Sequence, residues 1–305
     1  MADTPLETAL AAVDDEIRDL RHWPRQQLQE EAERCADLIA SGGVMLWWSA
    51  DLRKKQAKWA GTSRRGSEEY GVELHPDDVV RAAARGLAIL ALRPCGVEFG
   101  DLHFCDHGHP GGCERGSLSF DPTPDTGKAL ARGAVFTPRK LAEQVTDNAL
   151  EPLVYSPGPL ETGVRDEWKL RSTDEILSKR VADIAVGTGT FPLAACRYLT
   201  ARLMEHAPPN VVIFGLEQDV RALVISQCLY GVDIDPASLA LCRVALALMA
   251  PFHDIDVDIY RHFVCGDSLL GITSLDQLRW MHMDPEKGKA LYGMVAPLDV
   301  GAVDG

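Results

Sequence analysis

The chain has 305 residues, 46% of them hydrophobic and 25% charged, with a formal net charge of −14. That length can bury a substantial core as one large domain or two ordinary ones, and no apolar run approaches the ~20 residues that cross a bilayer. The acidic balance excludes a surface given over wholly to nucleic acid, because phosphate contacts need local Lys and Arg; a basic patch, or a DNA-binding part outside this chain, stays compatible with it. Residues 1–21 alternate acids with Ala and Leu at helical spacing instead of placing a basic stretch before an apolar core, so a cytoplasmic location is expected. The eight cysteines lack the dense spacing of a small secreted scaffold and read as reduced thiols.

Residues 1–92 read as helical. Leu20, Leu28, Leu38 and Ile39 sit among charges, and Val79, Val80, Leu87, Ile89 and Leu90 follow the helix-start signal HPDD. From Pro94 to Thr126 the texture changes to Gly, Pro, His and Asp, the mark of loops or short strands, and a domain boundary is expected there. The division is a mostly helical region over 1–130 and an α/β region over 131–305. In the latter, TPRKLAEQVTDNALEPLV reads as helix, RVADIAV as strand and TFPLAACRYLTARLMEH as helix. CLYGVDI then reads as strand, PASLALCRVALALMA as helix and RHFVCGD as strand. Short apolar strands separated by amphipathic helices predict an α/β fold with a parallel sheet and crossover helices.

The first of these strands runs into Asp183-Ile-Ala-Val-Gly187-Thr-Gly189-Thr-Phe191. Two glycines at a strand-to-helix junction let backbone approach a ligand closely, since glycine has no Cβ and tolerates positive φ. Such turns also serve nucleotides, flavins or a purely structural role, so the following strands carry more weight. CLYGVDIDP ends in Asp233, an acid at a strand tip that can accept from both hydroxyls of a ribose. HFVCGDSLLG puts Asp267 at a third tip on the same sheet edge. A second candidate ribose acid is Glu217, read as the end of a strand NVVIFGLEQD whose spacing from Gly187 is more ordinary. Asp233 is preferred for its flanking residues.

Three strand tips bearing a Gly-rich turn, an acid and an acid resemble the S-adenosylmethionine site of Rossmann-like methyltransferases. GAVFTPRKLAEQV, DIAVGTGTF, LYGVDIDPASLALCRVAL and CGDSLLGIT together resemble the adenine-specific DNA methyltransferases of restriction–modification and phage-defence systems, especially the large enzymes that fuse methylation to restriction. The resemblance covers about residues 132–275. Its order, Phe-Thr-Pro first, is that of the class whose recognition domain comes last. It implies that Phe136 and Thr137 close over the methionine end of S-adenosyl-L-methionine. Asp183, Ala185, Gly187 and Gly189 then line its methionine and ribose portion, Asp233 holds the ribose hydroxyls, Asp267 accepts from the adenine amino group, and Ile234 and Ser268 flank the adenine. The chain departs from the family at Ile184, where Pro is usual, and at Val186, where Cys is frequent.

Amino-group methylation also needs a segment of Asn, Ser or Asp followed by Pro-Pro and an aromatic residue. Its polar groups accept the amino hydrogens of the target, and the ring stacks on the flipped base. After Asp267 only MDPEK and APLD approach such a tetrapeptide, and neither fits. The resemblance therefore implies a cofactor-binding half without catalytic residues of its own. A truncated, split or frame-interrupted gene is expected in preference to a natural short protein. The alternative function is a non-catalytic cofactor- or DNA-binding subunit completed by a separate chain.

Two further clusters carry weaker signals. Cys105, His107, His109 and Cys113 have zinc-ligand chemistry, but C-x-H-x-H-x-x-x-C matches no common finger, so a polar loop is favoured and no metal is assigned. Trp47, Trp48 and Trp59 interleave with Arg53, Lys54, Lys55, Lys58, Arg64 and Arg65, a stretch (Trp47 to Arg65) able to track a phosphate backbone, or equally to form a solvated helix face. Nothing in residues 1–130 supplies the acid, acid and Lys of a restriction nuclease.

Overall fold

The computed structural model describes residues 5–42, 76–93, 97–99, 102–104, 137–206, 215–266 and 268. Helices α1 (Pro5–Ala11), α2 (Val13–Leu20), α3 (Arg25–Gly42) and α4 (Pro76–Ala91) come first, followed by a small antiparallel hairpin of β1 (Val97–Phe99) and β2 (Leu102–Phe104). Then come α5 (Arg139–Val154), α6 (Thr173–Leu177), β3 (Val181–Asp183), α7 (Thr190–Met204) and α8 (Leu216–Cys228). The order ends with β4 (Leu229–Asp233), α9 (Pro236–Met249), α10 (Asp256–His262) and β5 (Phe263–Cys265).

Strands β3, β4 and β5 form a parallel sheet in that order, with Asp183 beside Gly231 and Asp233 beside Cys265. The expected alternation of helix and parallel strand is present, and the chain is α/β. Beyond Asp183 the chain bends away, although Val186 N–H still donates to the Val232 carbonyl (3.0 Å). Gly231 is needed inside β4: a Cβ there would lie 2.6 Å from the Phe263 ring, which is fully buried against it.

Helix α9 is the centre of the core. Leu239, Cys242, Ala245, Leu246, Leu248 and Met249 are buried almost completely, which uses nearly every face of the helix. One face meets the sheet, another meets α7, and a third receives α3 and α4. The N-terminal helices therefore share one continuous apolar cluster with the α/β unit. Gly86 in α4 permits this approach, since a Cβ there would meet the Leu248 side chain at 2.7 Å.

Charge completes the junction. Arg93, just past α4 and 5% exposed, donates from Nη1 to Asp256 Oδ1 (2.7 Å) and from Nη2 to the Ala247 carbonyl (3.3 Å), and also binds the Pro251 carbonyl. It thereby adds a second donor to the Ala247 carbonyl, which also accepts from Ala250 N–H (3.2 Å), and holds the chain just beyond α9. Arg85 on α4 similarly reaches Glu16 on α2 (2.7 Å) and Glu31 on α3 (3.1 Å).

The end of one expected strand is helical. Glu217 lies in the first turn of α8, not at the end of a sheet strand; residues 207–214 lie outside the described residues. Ala222, Ile225 and Cys228 recur at helical spacing and are all buried, and this periodicity sets the local structure. No described helix is long and apolar enough to cross a membrane.

Replacing Arg93 by Met should cost about 3–5 kcal/mol, because the Asp256 carboxylate stays buried without its guanidinium. Urea unfolding measures this, and a loss below about 1 kcal/mol would contradict the role given to that pair.

Candidate functional site

The Gly turn, the tip of β4 and the tip of β5 converge at the carboxyl edge of the sheet. Gly187 (φ +54) and Gly189 (φ +103) both take positive φ, for different reasons. A Cβ on Gly189 would press on Cys242 in α9, 3.0 Å from Sγ and 3.4 Å from Cα, so this glycine lets α7 and α9 approach each other. A Cβ on Gly187 would meet nothing within 4 Å. The turn is open to solvent above Gly187, where a ligand needs room.

Asp233 fastens the turn to the neighbouring strand. Its Oδ2 accepts from Gly187 N–H (2.7 Å), its Oδ1 from Asp235 N–H (2.8 Å), and its own carbonyl from Gly266 N–H (2.8 Å). A carboxylate has about four acceptor sites, so each oxygen keeps one for a ligand hydroxyl. Asp235 then caps α9, its Oδ2 accepting from Ser238 N–H (3.1 Å) and from the Ser238 hydroxyl (2.6 Å).

Asp183 is half-buried at the tip of β3. Its Oδ1 accepts from Ala185 N–H (3.0 Å), while Oδ2 is shielded from solvent without a hydrogen-bond partner among the described residues. Burial holds its carboxyl above the usual carboxylate range; the Ala185 N–H opposes this and the charge of Asp233 adds to it.

The apolar partners are also in place. Ile234 is 45% exposed beside Asp233, and Ile184 is 61% exposed beside Asp183. Both are large aliphatic side chains left uncovered at a strand tip, and each offers a surface to a ring. Ala185 and Ser268 are exposed, and Thr137 is half-buried just before α5. Phe136 and Asp267 lie outside the described residues, as do the Trp47 to Arg65 stretch and Cys105, His107, His109 and Cys113.

The two candidate ribose acids occupy different regions. Glu217 accepts from Arg221 (2.6 Å), which also binds Glu33 (2.8 Å). Its neighbour Asp219 binds His253 (2.7 Å), beyond the far end of α9. That helix begins beside Asp233 and is about 20 Å long. Glu217, two residues before Asp219, is thus paired with Arg221 on α8, and Asp233 is the acid against the Gly turn.

Sequence reading missed the wall behind the turn. The hydroxyls of Thr188 and Thr190 both donate to the carbonyl of Ala40 near the end of α3, Thr190 at 3.0 Å. A polar residue between and after the two glycines is the only local sign of this contact. A separate cavity of about 300 Å³ between α5 and α7 is lined by Glu143, Asp147, Glu151, Arg165 and Arg202 among others, and none of the strand-tip residues borders it. Among the described residues no group of three or more His, Cys, Asp or Glu could hold a metal ion.

Replacing Gly187 by Ala should cost only about 1–2 kcal/mol, the price of left-handed backbone for an L residue. Gly189→Ala should cost more, about 2–4 kcal/mol, since Cys242 also blocks the Cβ there. Denaturant unfolding of both variants checks the order.

Asp183 makes a pH prediction. Its folded-state pKa is raised, so its contribution to stability is fully present below the unfolded value and is lost as pH rises through the folded value. Asp183→Asn has no charge to desolvate and should raise the unfolding midpoint at neutral pH, the gain vanishing at acidic pH. A gain that is constant with pH would contradict this. Comparisons of the chain with protein-family models, with curated proteins and with solved structures return no match.

Proposed function

We propose that this chain is the S-adenosyl-L-methionine-binding portion of a Rossmann-like DNA adenine methyltransferase of the restriction–modification or phage-defence type. The observation that carries the reading is the Gly187 to Asp233 junction, an open positive-φ glycine hydrogen-bonded at 2.7 Å to an acid on the adjacent parallel strand tip. The residues present fit the cofactor. Room above Gly187 accepts its backbone-hugging portion, and Asp183 puts a half-buried carboxylate at the neighbouring strand tip. The free acceptor sites of Asp233 suit two ribose hydroxyls, and exposed Ile234 offers a face to adenine. By the family resemblance, Phe136 and Thr137 cover the methionine end, and Asp267 with Ser268 completes the adenine pocket.

When bound, the cofactor supplies an electrophilic methyl on a sulfonium. The task of this chain's residues is to orient that group and exclude competing water, which converts an encounter into a positioned reaction. Gly187 and Gly189 bring backbone close without a side chain in the way, and Asp233 fixes rotation about the ribose. DNA is the partner, gripped by regions outside the described residues, with Trp47 to Arg65 as the stretch inside the chain suited to phosphate and base stacking.

One observation favours a second reading, a cofactor- or DNA-binding subunit completed by a separate chain. The outer edge of β3 carries no strand among the described residues, and Ala182 and Ile184 are exposed beside it. An unpaired edge of this kind accepts a strand from another segment or another chain.

Calorimetric titration with S-adenosylhomocysteine tests the assignment. Saturable one-to-one binding is expected, with loss in Gly187→Trp, a weakening of about tenfold or more in Asp233→Ala as hydrogen bonds to a charged group are lost, and no change in Glu217→Ala. A folded wild-type chain that binds nothing sinks the proposal.

A further inference from the structure

Helix α3 precedes the Gly turn by almost 150 residues, Thr188 and Ala40 being 148 apart, yet it touches both segments that form the proposed pocket. Three positions on one face make these contacts. Ala40, 2% exposed, presents a carbonyl near the helix end that accepts from the hydroxyls of Thr188 and Thr190. The last carbonyls of a helix lack intrahelical donors, so the turn serves as the cap of α3. One turn earlier, Asp37 accepts from Arg197 on α7 through Oδ1 (2.6 Å) and from Arg139, at the start of α5, through Oδ2. One turn earlier again, Glu33 accepts from Arg197 (3.3 Å) and Arg221 (2.8 Å). Positions 33, 37 and 40 follow the spacing that places side chains on one helix face.

These contacts have a shared consequence. Arg139 lies two residues beyond Thr137, and Thr190 opens the helix that leaves the Gly turn. Asp37 and Ala40, less than one turn apart on a rigid helix, therefore set the separation between the Thr137 segment and the turn. We infer that α3 is the positioning element of the strand-tip site, and that occupancy of the site and seating of α3 are energetically linked. The inference rests on the reading of that site as a cofactor pocket. None of the α3 groups touches the ligand; they act through Thr188, Thr190 and Arg139. Linkage is reciprocal, so a ligand that tightens the turn also tightens α3, and anything that displaces the end of α3 weakens the ligand.

Hydrogen exchange on the full chain, with and without S-adenosylhomocysteine, tests this in wild type, Thr188→Val, Thr188→Ser and Asp37→Asn. The ligand is expected to slow exchange of the amides in the last two turns of α3. Thr188→Val keeps the side-chain shape but removes one of the two donors to Ala40, the buried one. It should weaken binding about five- to tenfold and abolish that distant protection, with Thr188→Ser restoring both. A residue with only a structural role would lower the melting temperature and leave the affinity of the folded chain unchanged. Unaltered affinity together with unaltered α3 protection in Thr188→Val overturns the inference. If Thr188→Val does not fold, Asp37→Asn carries the same comparison. If wild type binds no ligand, the cofactor reading fails by itself and the linkage is judged on the free chain. There Thr188→Val must speed exchange at 36–42 and at 186–190 together; faster exchange at only one of them, or at neither, refutes it.

Discussion

The hydrogen bond from Gly187 N–H to the Asp233 carboxylate is the constraint on which the site depends. Parallel strands pair only through their middles here, and both chains leave the ladder at the carboxyl edge. Beyond the bond from Val186 N–H to the Val232 carbonyl, this is the contact that ties the turn after β3 to the tip of β4. With it, the positive φ of Gly187, the direction of the chain into α7 and the placement of Asp233 become one arrangement. The bond is charge-assisted, and this class is the stronger kind. Asp235 follows at once as the cap of α9, so a short run of sequence joins Asp233 to a helix buried on nearly every face.

The same arrangement explains why the site contains unfavourable features. Asp183 is half-buried with one oxygen unpartnered, Ile184 and Ile234 are exposed, and two glycines hold left-handed backbone. The buried acid and the exposed aliphatic chains weaken the free chain, and with the two glycines they occupy one edge of one sheet. Structural polar groups in an ordinary strand end would be paired or solvated. A ligand with a cationic group, vicinal hydroxyls and a flat ring would satisfy the acid, the second acid and the aliphatic faces together. The proposed cofactor has these three parts.

Much of the α/β unit was legible in the sequence because it rests on local signals. The strand-Gly-helix junction at 183–191, the Asp-Pro start of α9 and the apolar runs of β3, β4 and β5 are short-range patterns, and a strand or helix lies within each. Glu217 was misread because NVVIF has strand composition, whereas burial at Ala222, Ile225 and Cys228 makes the following residues a helix. The role of α3 was not legible. Its acids EEAERCAD look like a solvated face, and their partners Arg139, Arg197 and Arg221 lie 102 to 188 residues away. Such pairing is set by how the helices dock, which composition does not encode.

The central claim is that the carboxyl edge of the sheet, at Gly187 and Asp233, is a cofactor pocket. Titration of isotope-labelled chain with S-adenosylhomocysteine, followed by amide resonances, tests it most directly. The account predicts that Gly187, Gly189, Ile234 and Asp235 shift along one saturable curve, while residues of the cavity between α5 and α7 such as Asp147 do not. Shifts confined to that cavity, or none in a chain whose spectrum shows it folded, would contradict the account.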